Sequence, residues 1–329
     1  MLLTQKYHSA ADIDAEFIPS LEELLSECVP SFDWIKNFEQ TAPEQTHFAY
    51  YLFFGQRHNS PIGFAQVALE AKETSSKKSF LSKWITPKKT YSKLKTASWK
   101  MPGSLNEGLV FEPMYIKDAL GKTKNLFQEY LKREDIEVQS LCFSEAFSDL
   151  KNIDSVSFKN ANEVRIPNTL VKNQKDYETY LKNLPSETAK TIKSAWKEFY
   201  KNEMKLGEFH TFKDIFSYRK DSVSVYKKLK NDPLIKKYKN EKCTYLTIEK
   251  DNQVEAIIFY IKGFGHHYFY DYLILNPKIN QFTIDQLVIM KFYETNNSDR
   301  LHLLKRANDI QNYEKQGFTT RSQIHLSIS

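Results

Sequence analysis

Apolar residues recur along this chain with two different periods. Between Asp12 and Gln40, Phe17, Leu21, Leu24 and Leu25 and then Trp34, Ile35 and Phe38 fall three or four apart, a helical stripe broken near Pro30. "LGKTKNLFQEYLKRE" carries Leu126, Phe127, Tyr130 and Leu131 at the same spacing. "MLLTQKYH", "EGLVFEPMYI" and "IEVQSLCFS" read instead as strands. So do "THFAYYLFFGQ" and "SPIGFAQVALEA", which are joined by the hairpin signal "RHNS".

The second half repeats that order loosely. "SETAKTIKSAWKEFYKN" predicts a helix, and "FHTFKDIFSYRKDSVSVYKKLKN" supplies further helical material. "CTYLTIEKDNQVEAIIFYIKGFGHHYFYDYLILN" predicts three successive strands turning at Asp251-Asn252 and Gly263–Gly265. A helix over Thr283–Asn296, a strand in "RLHLLKR" and a last strand near "SQIHLSIS" follow. The class is therefore α+β. Two domains of similar plan are expected, 1–165 and 166–329, each a mixed, mostly antiparallel sheet flanked by helices. The connection falls around 160–176, where "NANEVRIPNTLVKNQKD" is polar and interrupted by Pro167.

Size agrees with two units: 329 residues exceed one comfortable core. Hydrophobic residues at 41% and charged ones at 27% exclude wholesale disorder, and a net charge of +6 permits an anionic ligand without demanding nucleic acid. Cys28, Cys142 and Cys243 lie far apart and form no CxxC pair, which argues against a disulfide framework or a zinc site. The first residues contain no apolar signal core, and runs such as "AIIFYI" are strand-sized. A soluble, cytoplasmic protein without membrane insertion is the expectation. No acidic residue occurs between Thr74 and Asn106, where eight lysines interleave with Phe80, Trp84, Tyr91 and Trp99. We read 72–106 as a lysine-rich insertion between two strands: either a solvated loop, or a basic flap over an anionic ligand or an RNA backbone.

The run from "YDYLILNP" through a helix to "LHLLKRANDIQNYEKQGF" resembles the second half of the GNAT superfamily of N-acetyltransferases. Tyr313, Gly317 and Phe318 match its closing "YEKxGF", and Asn308 matches its asparagine, placed slightly nearer the tyrosine. The larger layout resembles tandem acyltransferases of the Fem type (FemAB-like), to whose second-domain opening "DYETYLKNLPSETAKTIKSAWKEFYK" is similar. The likeness covers most of 176–321 by sequence, and 1–146 only by the order of elements. It implies two GNAT-like domains, each with a V-shaped cleft between two parallel central strands. It also implies an acyltransferase acting on an amine. The donor would be a coenzyme A or carrier-protein thioester or, for the Fem type, an aminoacyl-tRNA, with tRNA then a partner. The alternative class is a non-catalytic binding protein that kept the fold.

Amide formation needs a base for the amine proton and an acid for the leaving group. The resemblance implies Tyr313 as the acid, its phenol protonated at neutral pH with an ordinary pKa of about 10. The residues alone equally allow a helix-face aromatic with Gly317 as a left-handed helix stop. The family's Q/R-x-x-G-x-G/A loop presents bare amides to a pyrophosphate. Here "NPKINQFTIDQLV" puts Gln281, Phe282 and Thr283 in place of the glycines, which argues against coenzyme A in the second domain. In the first, "IKDALGKTKNLF" offers Gly121, Lys122, Thr123 and Lys124 at a helix opening, suited to an anion or to an ordinary first turn. Ile116 replaces the first glycine a nucleotide-hydrolase loop requires.

On the helix beginning at Ser186, Lys190, Lys193, Lys197 and Lys201 share one face beside the apolar stripe of Ala189, Ile192, Trp196 and Phe199. That face is either solvated or matched to an anionic partner. Along "GFGHHYFYDY", strand alternation sends His267, Phe269 and Asp271 one way and His266, Tyr268, Tyr270 and Tyr272 the other. His267 with Asp271, or Tyr270 with Tyr268, are candidates for a base or for orienting the amine. Adjacent histidines on opposite faces cannot chelate one metal and no HExxH motif occurs, so no metal is expected. Lys305 and Arg306 are candidates to bind a carboxylate, a phosphate or the acyl carbonyl.

Overall fold

A strand-period segment buries its apolar row only by joining a sheet, and these segments form two. The computed structural model describes residues 2–56, 59–74, 90–102, 107–132, 136–144, 146–147, 160–167, 169–217, 229–230, 232–238, 243–304 and 310–328. The first sheet runs β1 (Leu3–Tyr7), β2 (Thr46–Phe54), β3 (Pro61–Thr74), β4 (Thr90–Trp99), β6 (Ile136–Ser144), β14 (Thr320–Ile328) and β7 (Asn160–Pro167). Short β5 (Leu109–Phe111) pairs with β3 next to the stretch that holds β4. The second sheet runs β8 (Thr169–Val171), β13 (Arg300–Leu303), β12 (His267–Ile274), β11 (Gln253–Lys262), β10 (Cys243–Lys250) and β9 (Lys205–Phe209). Each sheet is antiparallel apart from one central parallel pair, β4–β6 in the first and β12–β13 in the second.

Helices cover these sheets: α1 (Ile18–Leu24), α2 (Phe32–Thr41), α3 (Ile116–Leu131), α4 (Tyr177–Asn183), α5 (Ser186–Lys201), α6 (Asp214–Ser217), α7 (Pro233–Tyr238), α8 (Gln281–Glu294) and α9 (Ile310–Lys315). Local chemistry fixes several ends. Ser31 Oγ accepts from the Trp34 amide (3.2 Å) to start α2, and Asp176 accepts from Thr179 (2.8 Å) to start α4. Gly317, at φ 85°, ends α9 in the left-handed region, where a side chain is disfavoured.

Strand alternation then sorts the core into three layers. Between the first sheet and α3 lie Tyr51, Trp99, Phe127, Tyr130 and Leu141. Tyr180, Phe199, Tyr270, Phe292 and Tyr313 fill the space between the second sheet and its helices. A third layer joins the two halves, with Trp34 of α2 and Tyr238 of α7 at 5.2 Å and Tyr238 stacked on Phe259 of β11 at 4.3 Å. A buried side chain of this size contributes about 1.5–3 kcal/mol of transfer free energy. No helix among the described residues is long and apolar enough to cross a membrane.

The structure departs from the sequence reading in four places. Residues 90–99, assigned to the lysine-rich insertion, are a strand at the centre of the first sheet, with Ala97 and Trp99 buried. Their lysines hide the period; residues 75–89, with most of the remaining lysines, lie outside the described residues. The polar stretch taken as a connection is itself β7 and β8, one in each sheet. The last strand does not close the second sheet: β14 sits in the first, antiparallel to both β6 and β7. Gly121 to Lys124 do not open a helix, because α3 begins at Ile116 and Gly121 stands inside it. Pro113, in the turn just before, ends the extended chain and lets the helix start early.

Candidate active site

In the second sheet the parallel ladder runs from His267 opposite Arg300 to Tyr270 opposite Leu303, with Leu304 N donating to Tyr270 O at 2.8 Å. Beyond it, β12 continues to Ile274 paired only with β11, so the central strands part there. The gap is filled from within. Tyr270 Oη donates to Asp285 Oδ1 at 3.0 Å and Tyr313 Oη donates to the same atom at 3.3 Å, while Gln281 Nε2 donates to Tyr313 Oη at 2.8 Å. Tyr270, Tyr313 and Asp285 are fully buried. Burial, followed by the Asp285 charge, holds both phenols far above their ordinary acidity range. The proton of Tyr313 is thus engaged by a carboxylate in the core. Asn280 Oδ1 meanwhile accepts from the Phe282 amide at 3.0 Å, so the first turn of α8 is capped by its own chain. Outside this plug lies a cavity of about 380 Å³ lined by Thr191, Ser194, Glu198, Asn280, Phe282 and Asn312.

The remaining expected residues are scattered. His267 and Asp271 share a face of β12, toward the first sheet, yet do not form a pair with each other. Asp271 accepts from Tyr238 Oη at 2.6 Å, and its other oxygen accepts from the Tyr272 amide at 2.8 Å. His267 Nδ1 lies 2.9 Å from His302 Nε2, whose Nδ1 lies 3.0 Å from Thr169 Oγ1. Burial and then the neighbouring Arg300 keep His267 below its ordinary pKa, favouring the neutral ring. Tyr268 stacks on Tyr260 at 5.0 Å, away from Tyr270's partners. Lys190, Lys193, Lys197 and Lys201 form one exposed row on α5, with Lys190 and Lys193 bordering a cavity of about 490 Å³ against α4. Gly121 is exposed, Lys122 is partly buried, and Thr123 is buried with its hydroxyl donating to Ala119 O at 2.9 Å. Lys305, Arg306 and Asn308 lie outside the described residues.

The first sheet holds a constellation that sequence reading missed. Its parallel ladder ends at Trp99 opposite Leu141, and one further rung follows, Gly108 N to Cys142 O at 2.9 Å. Beside that rung Glu107 is 1% exposed, with Arg321 Nη2 donating to it at 3.2 Å and Gln323 Nε2 at 3.3 Å. Desolvation raises its pKa to about 7, and Arg321 and Gln323 only partly oppose the shift. Arg321 also pairs with Glu27, and Glu27 with Arg300 of the second sheet. The Glu27 and Arg300 side chains are 36% and 42% exposed. Arg321, Glu27 and Arg300 thus form a partly exposed chain of ion pairs linking the two sheets, with Glu107 buried beside Arg321. Cys142 lies in the same face as Gln323 and directly opposite His325, its Sγ 3.6 Å from His325 Nε2. No local pattern marks these residues, because β14 brings its members from the far end of the chain.

No protein-family model matches the sequence, and no curated protein matches it. Solved structures do. A tandem GNAT protein from the clavulanic acid biosynthesis pathway is 9% identical, with 100% of this chain and 98% of that one covered at a TM-score of 0.50. The C-terminal domain of a putative lysylphosphatidylglycerol synthetase from Agrobacterium fabrum is 8% identical over 97% and 92% of the two chains, at 0.48. A GCN5-related N-acetyltransferase from Sphaerobacter thermophilus is 8% identical over 99% and 95%, at 0.44. The first of these carries the fold: this chain has a tandem GNAT-like architecture, two mixed sheets flanked by helices.

Proposed function

We propose that the protein is an acyltransferase that moves an acyl group from an acyl-CoA or acyl-carrier thioester to an amine, with its chemistry in the first half. The observation that carries this reading is Glu107, a buried carboxyl brought to about 7 at the end of the β4–β6 ladder. A general base works best with a pKa near the operating pH, and an ordinary surface glutamate is a far weaker base.

The two halves differ in their fit to a thioester. In the second, a buried carboxylate and two phenols occupy the strand gap, and Asn280 caps the helix start, so the Phe282 amide is already engaged. In the first, no side chain caps the start of α3. Gly121 stands on an exposed face of α3, and a side chain built on it would meet nothing within 4 Å. Lys122 and Lys124, each partly buried, add positive charge nearby. A bound thioester supplies an acyl carbon activated by its sulfur. The chain's own part is to take the amine's proton on Glu107 as the N–C bond forms and the C–S bond breaks. Arg321 steadies the carboxylate that the base needs.

Two observations favour other donors or none. The exposed lysine row on α5 suits an aminoacyl-tRNA backbone, and the plugged second gap suits a binding protein that retained the fold. A thermal-shift series separates them. Coenzyme A, acetyl-CoA and a longer acyl-CoA are tested beside aminoacyl-tRNA, each at about 100 times Kd, where a binder stabilises by about 2.7 kcal/mol. A shift with a thioester, and loss of amide formation in Glu107→Gln, supports the proposal. A shift with charged tRNA alone moves the donor to the Fem type, and turnover unaffected in Glu107→Gln removes Glu107 from the chemistry.

A further inference from the structure

The corner between α4 and α5 carries a surface that acyl transfer does not use. Only Leu184 and Pro185 separate the two helices, which border a cavity of about 490 Å³. Leu181, Leu184 and Ala189 form its apolar part, the two leucines resting on the core of the second sheet. Lys182, Lys190 and Lys193 also line it, against the carboxylate of Glu178 alone. From there the basic row runs down α5 through Lys197 to Lys201, all five lysines exposed. Among the described residues none of the five forms an ion pair or a side-chain hydrogen bond, although Glu187 and Glu198 stand on the same helix. Like charges three and four apart weaken a helix, so the row is held at a cost. Lysines elsewhere in this half are engaged: Lys291 by Glu208 at 2.7 Å, and Lys172 by the carbonyls of Tyr293 and Thr295 at 3.0 Å each.

An apolar border accompanies the row. Ala189, Trp196 and Tyr200 are spaced by seven and four residues, which keeps them on one flank of it. Tyr200 is 69% exposed and stacks on Trp196 with ring centroids 6.0 Å apart. Glu198 lies on the other flank, lining a separate cavity with Thr191 and Ser194. Lysines beside an exposed aromatic and an aliphatic groove match the headgroup layer of a bilayer. The ammonium groups meet lipid phosphates, while the ring and the leucines take up the first methylenes of the acyl chains. A nucleic-acid backbone would use the lysines and leave the aliphatic groove empty. We infer that the α4–α5 corner docks the protein on an anionic phospholipid membrane. Docking of this kind needs neither Glu107 nor acyl transfer. It also leaves the fold intact, because Ile192 and Phe199 of α5 stay buried against the second half while the lysine face meets the lipid.

The full-length protein is sedimented with vesicles of phosphatidylcholine alone and of phosphatidylcholine mixed with phosphatidylglycerol. Binding to the mixed vesicles only, weakening as salt is raised, is the expected result. A variant combining Lys190→Ser, Lys193→Ser and Lys197→Ser should bind the mixed vesicles about 100-fold more weakly, at about fivefold per lysine. Tyr200→Ser should weaken binding a fewfold and leave its salt dependence unchanged. A control combining Lys6→Ser, Lys117→Ser and Lys132→Ser removes as many exposed lysines from the first half and should change binding little. Circular dichroism confirms that each variant folds. Failure to bind the mixed vesicles, equal binding to the neutral ones, or equal losses in the two triple variants overturns the docking. A gel shift with tRNA that is lost in the α5 variant, while vesicles stay unbound, overturns it too and gives the row to a nucleic acid.

Discussion

Replacing Glu107 by glutamine should make the protein more stable as it makes it inactive, and the two effects should separate by pH. A carboxyl whose folded pKa is about 7 against an ordinary 4.5 binds its proton more tightly in the folded state. Between those values the folded chain holds more protons than the unfolded one, so stability falls as pH rises. The cost is small at pH 5 and nearly complete at pH 8. Integrated over that interval, a shift of this size removes roughly 2–3 kcal/mol of unfolding free energy, at about 1.4 kcal/mol per pKa unit. Glutamine does not titrate. It keeps an oxygen to accept from Arg321 and is uncharged at both pH values, whereas the wild-type carboxyl is neutral at pH 5 and ionised at pH 8. The quantity to measure is therefore the difference between wild type and Glu107→Gln in denaturant unfolding free energy at pH 5 and again at pH 8. The variant should gain roughly 2–3 kcal/mol relative to the wild type on going from the lower to the higher pH. Parallel pH dependences would mean that Glu107 titrates as an ordinary glutamate and would refute its assignment as a tuned base. In kinetics, the wild-type rate should rise with pH through a limb near 7, and the variant should lose about 100-fold or more.

Other perturbations test the remaining geometry. Tyr313→Phe should cost about 1–3 kcal/mol in denaturant unfolding by removing the phenol that joins Gln281 and Asp285, while leaving acyl transfer within a fewfold; a hundredfold loss of turnover without loss of stability would return that phenol to the chemistry. Gly108→Ala places a methyl group against the backbone of Trp99 and Lys100, which cannot swing aside, so its penalty should exceed the ~1–3 kcal/mol usual for overpacking; a variant that melts like the wild type would contradict the close approach of the two strand segments. Ser31→Ala should cost about 1 kcal/mol, read by thermal melting, through loss of the α2 cap and with no change in activity.

Much of the fold follows from local periodicity, and the exceptions have physical causes. The 46–74 hairpin, the helix pair around Pro30 and the β10–β12 meander are set by residues that are neighbours in sequence. Alternation along β12 also sorted its side chains correctly into two rows. Tyr268, Tyr270 and Tyr272 face the helix-side core, and His267, Phe269 and Asp271 face the other half. Alternation cannot say which row meets which partner. Asp271 went to Tyr238 and His267 to His302, 35 positions away, and neither contact has a local signature. β4 was hidden because lysines occupy positions that a strand pattern would give to β-branched residues. Glu107 closes that same stretch, and its burial depends on Arg321, 214 positions further along. The tyrosine of "NYEKQGF" was visible as a motif, but its engagement with Asp285 required α8 to be folded against α9.

The placement of β14 has a consequence for how the molecule can be made. Arg321, Gln323 and His325 are synthesised long after Glu107 and Cys142, the residues they contact. While the ribosome still holds them, the nascent chain has β6 with a bare edge and a thiol whose imidazole has not yet emerged. At about 5–20 residues per second, roughly 10–40 seconds pass between the appearance of Cys142 and of His325. In that interval the exposed edge of β6 and β7 is open to any extended segment, including that of another copy emerging from the same message. Fragments ended before residue 320 should therefore be prone to aggregate.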